Sequence, residues 1–266
     1  MGMSSESRGR VVLITGANRG IGHEMARTLL EDGYRVAGLD IEGEYFGSLA
    51  DAYPEQARYF DCDVTSDGDV EAAVGAILDE WGQINILVNN AAVLDFGFFE
   101  DQTLEDTRET FEVNYFGYLR TIRAVLPHMR ERGSGIIHNV SSGVGLVGNP
   151  GLTGYGSTKG AIEAFTKSLR LELQRENVAV TVMHPRLAKT QGAMELGYPE
   201  SQLKEPAYVG RKLAGKIEST KRVIYTDWVT RLGLAFAKRF PFVVRKASER
   251  FLDAHEADTT DPPAQR

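Results

Sequence analysis

A chain of 266 residues accommodates one large α/β domain or two small ones, and a core of that size holds together without disulfides or metal. Its 25% charged and 42% hydrophobic residues, with 9 prolines, exclude a disordered or fibrous protein, and the single Cys62 excludes an internal disulfide or a cysteine-based zinc cluster. A formal charge of −7 speaks against a nucleic-acid partner, whose phosphates call for a basic field.

The opening residues, Met1 to Arg10, lack the apolar run of a secretory signal, and Glu6 stands where myristoylation needs Ser or Thr. No run of 18 apolar residues offers a membrane span, and the uncharged run Ser134 to Thr158 is rich in Gly, Ser and Asn. One cysteine also suits a reducing compartment, so a cytoplasmic protein is expected. Residues 1–9 are expected to be flexible.

Short runs of Val, Ile and Leu then alternate with longer stretches of helical period, the pattern of β-α units around a parallel sheet. The predicted strands are Arg10 to Thr15, Arg35 to Asp40, Ala57 to Asp61, Ile84 to Asn89, Gly135 to Val140 and Val178 to His184. The stretches between them are long enough for crossover helices. With no repeat and no low-complexity linker, the chain reads as α/β: a single doubly wound domain over residues 10–252, with helices on both faces of a parallel sheet.

Directly after the first strand stand Gly16, Asn18, Arg19, Gly20, Ile21 and Gly22, followed by a helical pattern to Leu30. Glycines let the chain turn sharply, admit a pyrophosphate close to the backbone and let helix pack on strand, while the new helix offers N–H groups to phosphates. In this strand-to-helix setting the cluster predicts a Rossmann-type dinucleotide site. The second strand ends at Asp40, where a carboxylate accepts hydrogen bonds from both ribose hydroxyls of NAD and repels the 2′-phosphate of NADP. Arg19 argues the other way, because a guanidinium pairs with that phosphate. Asp40 weighs more, since it must be neutralised or moved before a phosphate can sit beside it. NAD is therefore the expected cofactor, with NADP left open by Arg19.

The glycine loop, Asn89-Asn90-Ala91-Ala92, Asn114, Ser142 and Tyr155-Gly156-Ser157-Thr158-Lys159 together resemble the short-chain dehydrogenase/reductase family, in family order and spacing from about Val11 to Thr190. The order matters, because with 10 Tyr and 9 Lys chance yields roughly a third of one Tyr-x-x-x-Lys match. A second match, Tyr208 to Lys212, lacks an upstream strand ending in Ser and is read as a decoy. Tyr155 and Lys159 share a helix face if Tyr155 opens a helix. A free tyrosine titrates near pH 10, but a neighbouring ammonium and an oxidised nicotinamide both favour the phenolate, giving a base near neutral pH.

The resemblance implies an alcohol dehydrogenase or ketone reductase. Tyr155 then exchanges a proton with the substrate oxygen, Ser142 hydrogen-bonds that oxygen, Lys159 also holds the nicotinamide ribose, and Asn114 supports a water chain to Lys159. It implies further that Asp63 and Val64 contact adenine, that Asn90 and Ala91 lie under the adenine ribose, and that the loop with Pro185, Ala188 and Thr190 contacts the carboxamide. Taken singly, each has a plainer reading: Asp63 as the cap of a helix starting near Ser66, Ser142 as a turn residue, Asn114 as a helix-interior amide. No metal site is expected. Family members commonly pair through long helices, here about Thr103 to Arg132 and Gly154 to Glu176, so a homodimer or homotetramer is expected.

Two features depart from the family pattern. Arg186 replaces the glycine that usually follows Pro185; it is costly if the backbone there needs positive φ, and otherwise it places a cation near cofactor or substrate. That leaves open a non-catalytic dinucleotide sensor. Beyond Thr190 the pattern fades into a lid and a divergent segment. Lys204 to Arg250 holds twelve Lys and Arg against four Asp and Glu, a local +8 that leaves −15 on the rest, as suits an anionic ligand or surface. Within it, Trp228 to Leu252 interleaves Leu, Phe and Val with Arg and Lys and is split by Pro241 into two short helices. It reads as a substrate lid or subunit contact with a solvated basic face, or as an amphipathic patch at a membrane surface. Residues 253–266 are expected to form a flexible tail. Val93 to Phe99 and Val144 to Gly148 are apolar candidates for the substrate pocket, which favours a lipophilic alcohol or ketone such as a steroid, retinoid or fatty alcohol. The alternative is an NADPH-type reductase of 3-oxoacyl thioesters, whose anionic carrier would suit the basic segment.

Overall fold

The computed structural model describes residues 9–190, 193–194, 200 and 203–260. Runs of Val, Ile and Leu become strands because both faces of the sheet are covered: Val11–Thr15 (β1) and Gly135–Val140 (β5) are buried at every position. Arg35–Asp40 (β2), Ala57–Asp61 (β3), Ile86–Asn89 (β4) and Val178–His184 (β6) complete the predicted set, β4 starting two residues late. A seventh strand, Val223–Tyr225 (β7), adds to β6 through Val182, Met183 and His184. It has only three residues, too few for a period to show in the sequence. All pairs are parallel in the order β3-β2-β1-β4-β5-β6-β7, so the direction of winding reverses between β1 and β4.

Gly20–Glu31 (α1), Glu44–Ala52 (α2) and Pro206–Ala214 (α8) cover one face, where Val12, Ile14, Met25, Leu29, Phe46 and Leu213 pack together. Asp67–Trp81 (α3), Gly117–Arg132 (α5) and Thr153–Glu172 (α7) cover the other around Leu13, Val74, Ile77, Val125 and Met129. The long helix expected from Thr103 to Arg132 begins as Leu104–Phe111 (α4) and reaches α5 through a π-turn at Glu112–Phe116, an insertion often found at functional sites. A short helix, Val144–Val147 (α6), follows β5. Trp228–Arg239 (α9) and Pro241–Thr260 (α10) end the described chain, divided at Pro241 as predicted. α10 runs on to Thr260 into the segment expected as a tail, where no Gly or Pro interrupts the sequence before Pro262. Residues 1–8 and 261–266, where the remaining flexible ends were expected, lie outside the described residues.

Burial inside this sheet has a pH consequence. His138 of β5 is fully enclosed, with Nδ1 2.6 Å from Thr181 Oγ1 and Nε2 2.8 Å from the Ile217 carbonyl oxygen. A carbonyl only accepts, so Nε2 carries the hydrogen and Nδ1 accepts from Thr181. Burial pushes its pKa down to about 4 from the ordinary 6.5. The unfolded chain binds this proton more tightly, so the contribution is complete above pH 6.5 and is lost as the pH falls from there toward 4. Denaturant unfolding should show a loss of up to about 3 kcal/mol over that window from this group alone. A His138→Gln variant should show a shallower slope there, and an unchanged slope would rule the assignment out.

Candidate active site

A cleft of about 1370 Å³ opens beyond the carboxyl ends of β1 and β4, where α/β sheets of this topology bind ligands. Gly16, Asn18, Arg19, Gly20, Ile21, Asp40, Asp63, Val64, Asn90, Ala91, Ser142, Tyr155, Lys159, Pro185, Ala188 and Thr190 all line it; Asn114 does not.

The glycine loop is closed to larger side chains. Gly16 has φ +64°, and a Cβ there would stand 2.7 Å from Ala91 Cα; a Cβ on Gly22 would stand 2.2 Å from the Gly16 oxygen. Asn90 holds the loop by donating from Nδ2 to the carbonyls of Thr15 at 3.1 Å and Gly16 at 3.0 Å. No side chain caps the start of α1, which leaves its first N–H groups facing the cleft end of the loop. Asn18 Oδ1 accepts from the backbone of Tyr45 and Phe46, while its buried Nδ2 has no partner among the described residues. A glycine cradle, an uncapped helix start and an unpaired amide donor fit a dinucleotide.

At the end of β2, Asp40 Oδ2 accepts from the Asn18 backbone at 2.9 Å. Arg19 is engaged elsewhere: its guanidinium lies 2.7 Å from Glu42 Oε2 and over the Tyr45 ring at 5.2 Å. Asp63 is not the cap of α3, a part taken by Ser66, which accepts from the Asp69 backbone. Instead Asp63 Oδ1 accepts from the Thr65 backbone and hydroxyl, both at 2.8 Å. Cys62, also in the cleft wall, is a buried free thiol whose pKa burial, and then the nearby Asp69, pushes up to about 12. It is an unreactive packing residue.

Tyr155 and Lys159 lie on one face of α7, and the Lys159 ammonium is 5.5 Å from the centre of the Tyr155 ring. Lys159 is 1% exposed, and burial lowers its pKa to about 7. Its Nζ donates to the Val140 carbonyl at 3.2 Å and to the Tyr118 hydroxyl at 3.3 Å; Tyr118 in turn donates to Val140 at 3.1 Å. No sequence motif marks Tyr118, although it stands four residues after Asn114, one helical turn away. Ser142 follows β5 at the cleft, its Oγ accepting from the Val144 backbone at 3.3 Å. Asn114 sits buried in the π-turn and clamps Val93, accepting from its N–H and donating to its carbonyl, both at 2.8 Å.

The structure answers the question raised by Arg186. No residue other than glycine has positive φ among the described residues, so arginine is unstrained there. Its backbone donates to Thr226 Oγ1 at 2.8 Å and its guanidinium to Asp227 Oδ2 at 3.3 Å. Asp227 caps α9 through the Thr230 backbone and also accepts from Tyr208. Burial works against its charge, but the hydrogen bonds from Thr230, Tyr208 and Arg186 prevail and hold its pKa below the usual range. Arg186 thus ties the loop after β6 to the C-terminal segment, and Tyr208 of the decoy motif takes part in that tie outside the cleft wall.

Of the predicted apolar pocket segments only Val93, Leu94 and Val144 reach the cleft. Leu152 and, from α9, Val229, Thr230, Gly233 and Leu234 complete that wall, with Leu234 packed so closely that a Cβ on Gly143 would stand 2.7 Å from it. The C-terminal segment therefore borders the site beside Ser142.

The family model for short chain dehydrogenases matches residues 10–200. The 3-alpha-(or 20-beta)-hydroxysteroid dehydrogenase of Mycobacterium bovis is 38% identical over 188 residues, covering 71% of this chain and 72% of that protein. A crystal structure of 3-ketoacyl-(acyl-carrier-protein) reductase from Brucella melitensis complexed with NADH is similar with TM-score 0.75 and 27% identity, covering 82% of this chain and 96% of that one. A short-chain dehydrogenase from Streptomyces avermitilis has TM-score 0.78 and 28% identity over 96% of this chain and all of that one. Matched motifs, sheet order and cleft together place the chain in the short-chain dehydrogenase/reductase family, as an NAD(P)-dependent alcohol dehydrogenase or ketone reductase.

Proposed function

We propose that the protein interconverts lipophilic secondary alcohols and ketones with NAD(H). The observation that carries this reading is the apolar wall of Val93, Leu94, Val144, Leu152, Val229 and Leu234 in the cleft that also holds Ser142 and Tyr155. The steroid named for the Mycobacterium relative belongs to the same substrate class. Preference for NAD rests on Asp40 at the ribose end and on Glu42, which pairs with the arginine that would otherwise meet a 2′-phosphate.

When bound, the nicotinamide supplies or accepts the hydride. Tyr155 gives its hydroxyl proton to the carbonyl oxygen in reduction and takes it back in oxidation, Ser142 donates a hydrogen bond to that oxygen, and the Lys159 cation beside the Tyr155 ring favours the phenolate. Pro185, Ala188 and Thr190 border the nicotinamide end, Asp63 and Val64 the adenine end. Subunits pair through the faces of α4, α5 and α7 as a homodimer or homotetramer.

Tyr118 acts as a positioning residue, because its hydroxyl fixes the buried Lys159 amine against Val140. A Tyr118→Phe variant is expected to lower kcat by a factor of about 3–10, the worth of one hydrogen bond. It should also shift the pH profile of kcat while leaving KM nearly unchanged. A purely structural role would instead change stability and leave the pH profile in place.

The substrate class is tested by assaying steroid, retinoid and fatty ketones beside 3-oxoacyl thioesters with NADH and NADPH. The proposal expects turnover of free lipophilic ketones with NADH. Preferential turnover of thioesters with NADPH would favour the acyl-carrier reading and overturn it.

A further inference from the structure

α9 and α10 carry a surface that the cleft does not use. At 100° per residue Thr230, Leu234 and Ala237 of α9 point together toward the body of the protein. On the opposite side Trp228 is 71% exposed, Leu232 57% and Phe236 50%, and none of the helix's residues is buried. The exposed row continues round the corner at Pro241: Phe240 lies 4.7 Å from Phe236 and 6.0 Å from Phe242, ring centre to ring centre, and Phe242 is itself 61% exposed. A contiguous aromatic and aliphatic face of this kind is uncommon on a surface that meets only water.

Its charge says what covers it. Between Trp228 and Glu249 there are five cations, Arg231, Lys238, Arg239, Arg245 and Lys246, against the single carboxylate of Glu249. Arg239 stacks on Phe240 at 5.5 Å, an arrangement in which an aliphatic stem can lie along apolar surface with its cation at the edge. Outside the basic stretch from Lys204 to Arg250 the chain carries −15. An anionic bilayer would therefore attract the basic stretch and repel residues 1–203, which carry −12 of that charge. No helix among the described residues is long and apolar enough to cross a membrane, so the fitting mode is a helix lying in the interface.

We propose that α9 and the start of α10 dock on an anionic membrane surface, and that the cleft thereby opens beside the bilayer. α9 joins the two: its Val229 and Leu234 line the cleft, while Trp228, Leu232 and Phe236 form the docking face. Arg186, through Asp227, holds the start of α9 to the loop after β6. A lipophilic substrate would then reach the site from the lipid instead of through water. Docking stands on the exposed face and its charge alone; only its purpose rests on the lipophilic-substrate reading.

The test is co-sedimentation of the full chain with phosphatidylcholine vesicles and with phosphatidylcholine–phosphatidylserine vesicles, without substrate. Binding to the anionic vesicles is expected, weakened about tenfold or more by high salt or by Arg245→Gln with Lys246→Gln. Leu232→Glu with Phe236→Glu should abolish binding while NADH affinity persists. No sedimentation with anionic vesicles at low salt would overturn the proposal, as would equal, salt-independent binding to neutral vesicles. A stable dimer that the same glutamate pair converts to monomer, with no vesicle binding, would assign the face to a second copy of the chain. Each of these outcomes is independent of which ketone the enzyme reduces.

Discussion

Tyr155→Phe is expected to lower turnover by about three orders of magnitude, within the range usual for loss of a general acid or base. Only the proton-bearing oxygen is removed. The ring stays in place on α7, and the loop that would hold the dinucleotide, built by Gly16, Gly22 and Asn90, is untouched. NADH should therefore bind with nearly unchanged affinity, read by fluorescence titration. Lys159→Met should be comparably damaging to turnover and should also weaken NADH, because one buried amine is asked both to support the tyrosine and to meet the ribose. If the phenylalanine variant kept more than a tenth of wild-type turnover, another proton source would have to be found.

Asp40→Ser should change which cofactor is preferred. Placing a phosphate beside a carboxylate costs several kcal/mol, so removing the carboxylate is expected to move the ratio of NADPH to NADH affinity by about a hundredfold. Adding Glu42→Gln should move it further, since Arg19 now spans 2.7 Å to Glu42 and would be released toward a 2′-phosphate. The measurement is a pair of dissociation constants for each variant. Tighter binding of NADPH than NADH by the unaltered protein would refute the assignment of Asp40 at the outset.

Much of this was legible because it depends on short-range rules. The glycine loop has to follow β1 directly, Asp40 has to end β2, and Tyr155 and Lys159 meet because they are four apart on a helix. The parallel sheet and its covered faces followed from the alternation of apolar runs with crossover lengths, whereas the strand order came only with the fold. What escaped depends on partners distant in sequence or on features too short to carry a period. β7 has three residues. For Arg186 the sequence left open whether the backbone needs positive φ, and it could not show that the guanidinium meets Asp227, 41 residues later. Tyr118 belongs to no motif in the sequence, and only folding brings its hydroxyl to Lys159, 41 residues away. The same holds for α9: its amphipathic pattern was visible, but the pattern does not say that one side lines the cleft while the other faces outward.

The central claim is that hydride passes between the nicotinamide and a carbonyl carbon in this cleft. It is tested most directly by incubating the protein with NADH deuterated at the transferable position of nicotinamide C4 and a panel of lipophilic ketones, then locating the label by mass spectrometry. Deuterium on the carbinol carbon of a product alcohol, present with the wild-type protein and nearly absent with Tyr155→Phe, is the predicted result. Tight NADH binding with no label in any alcohol across ketones and 3-oxoacyl thioesters would contradict it and leave a dinucleotide-binding protein that performs no hydride transfer.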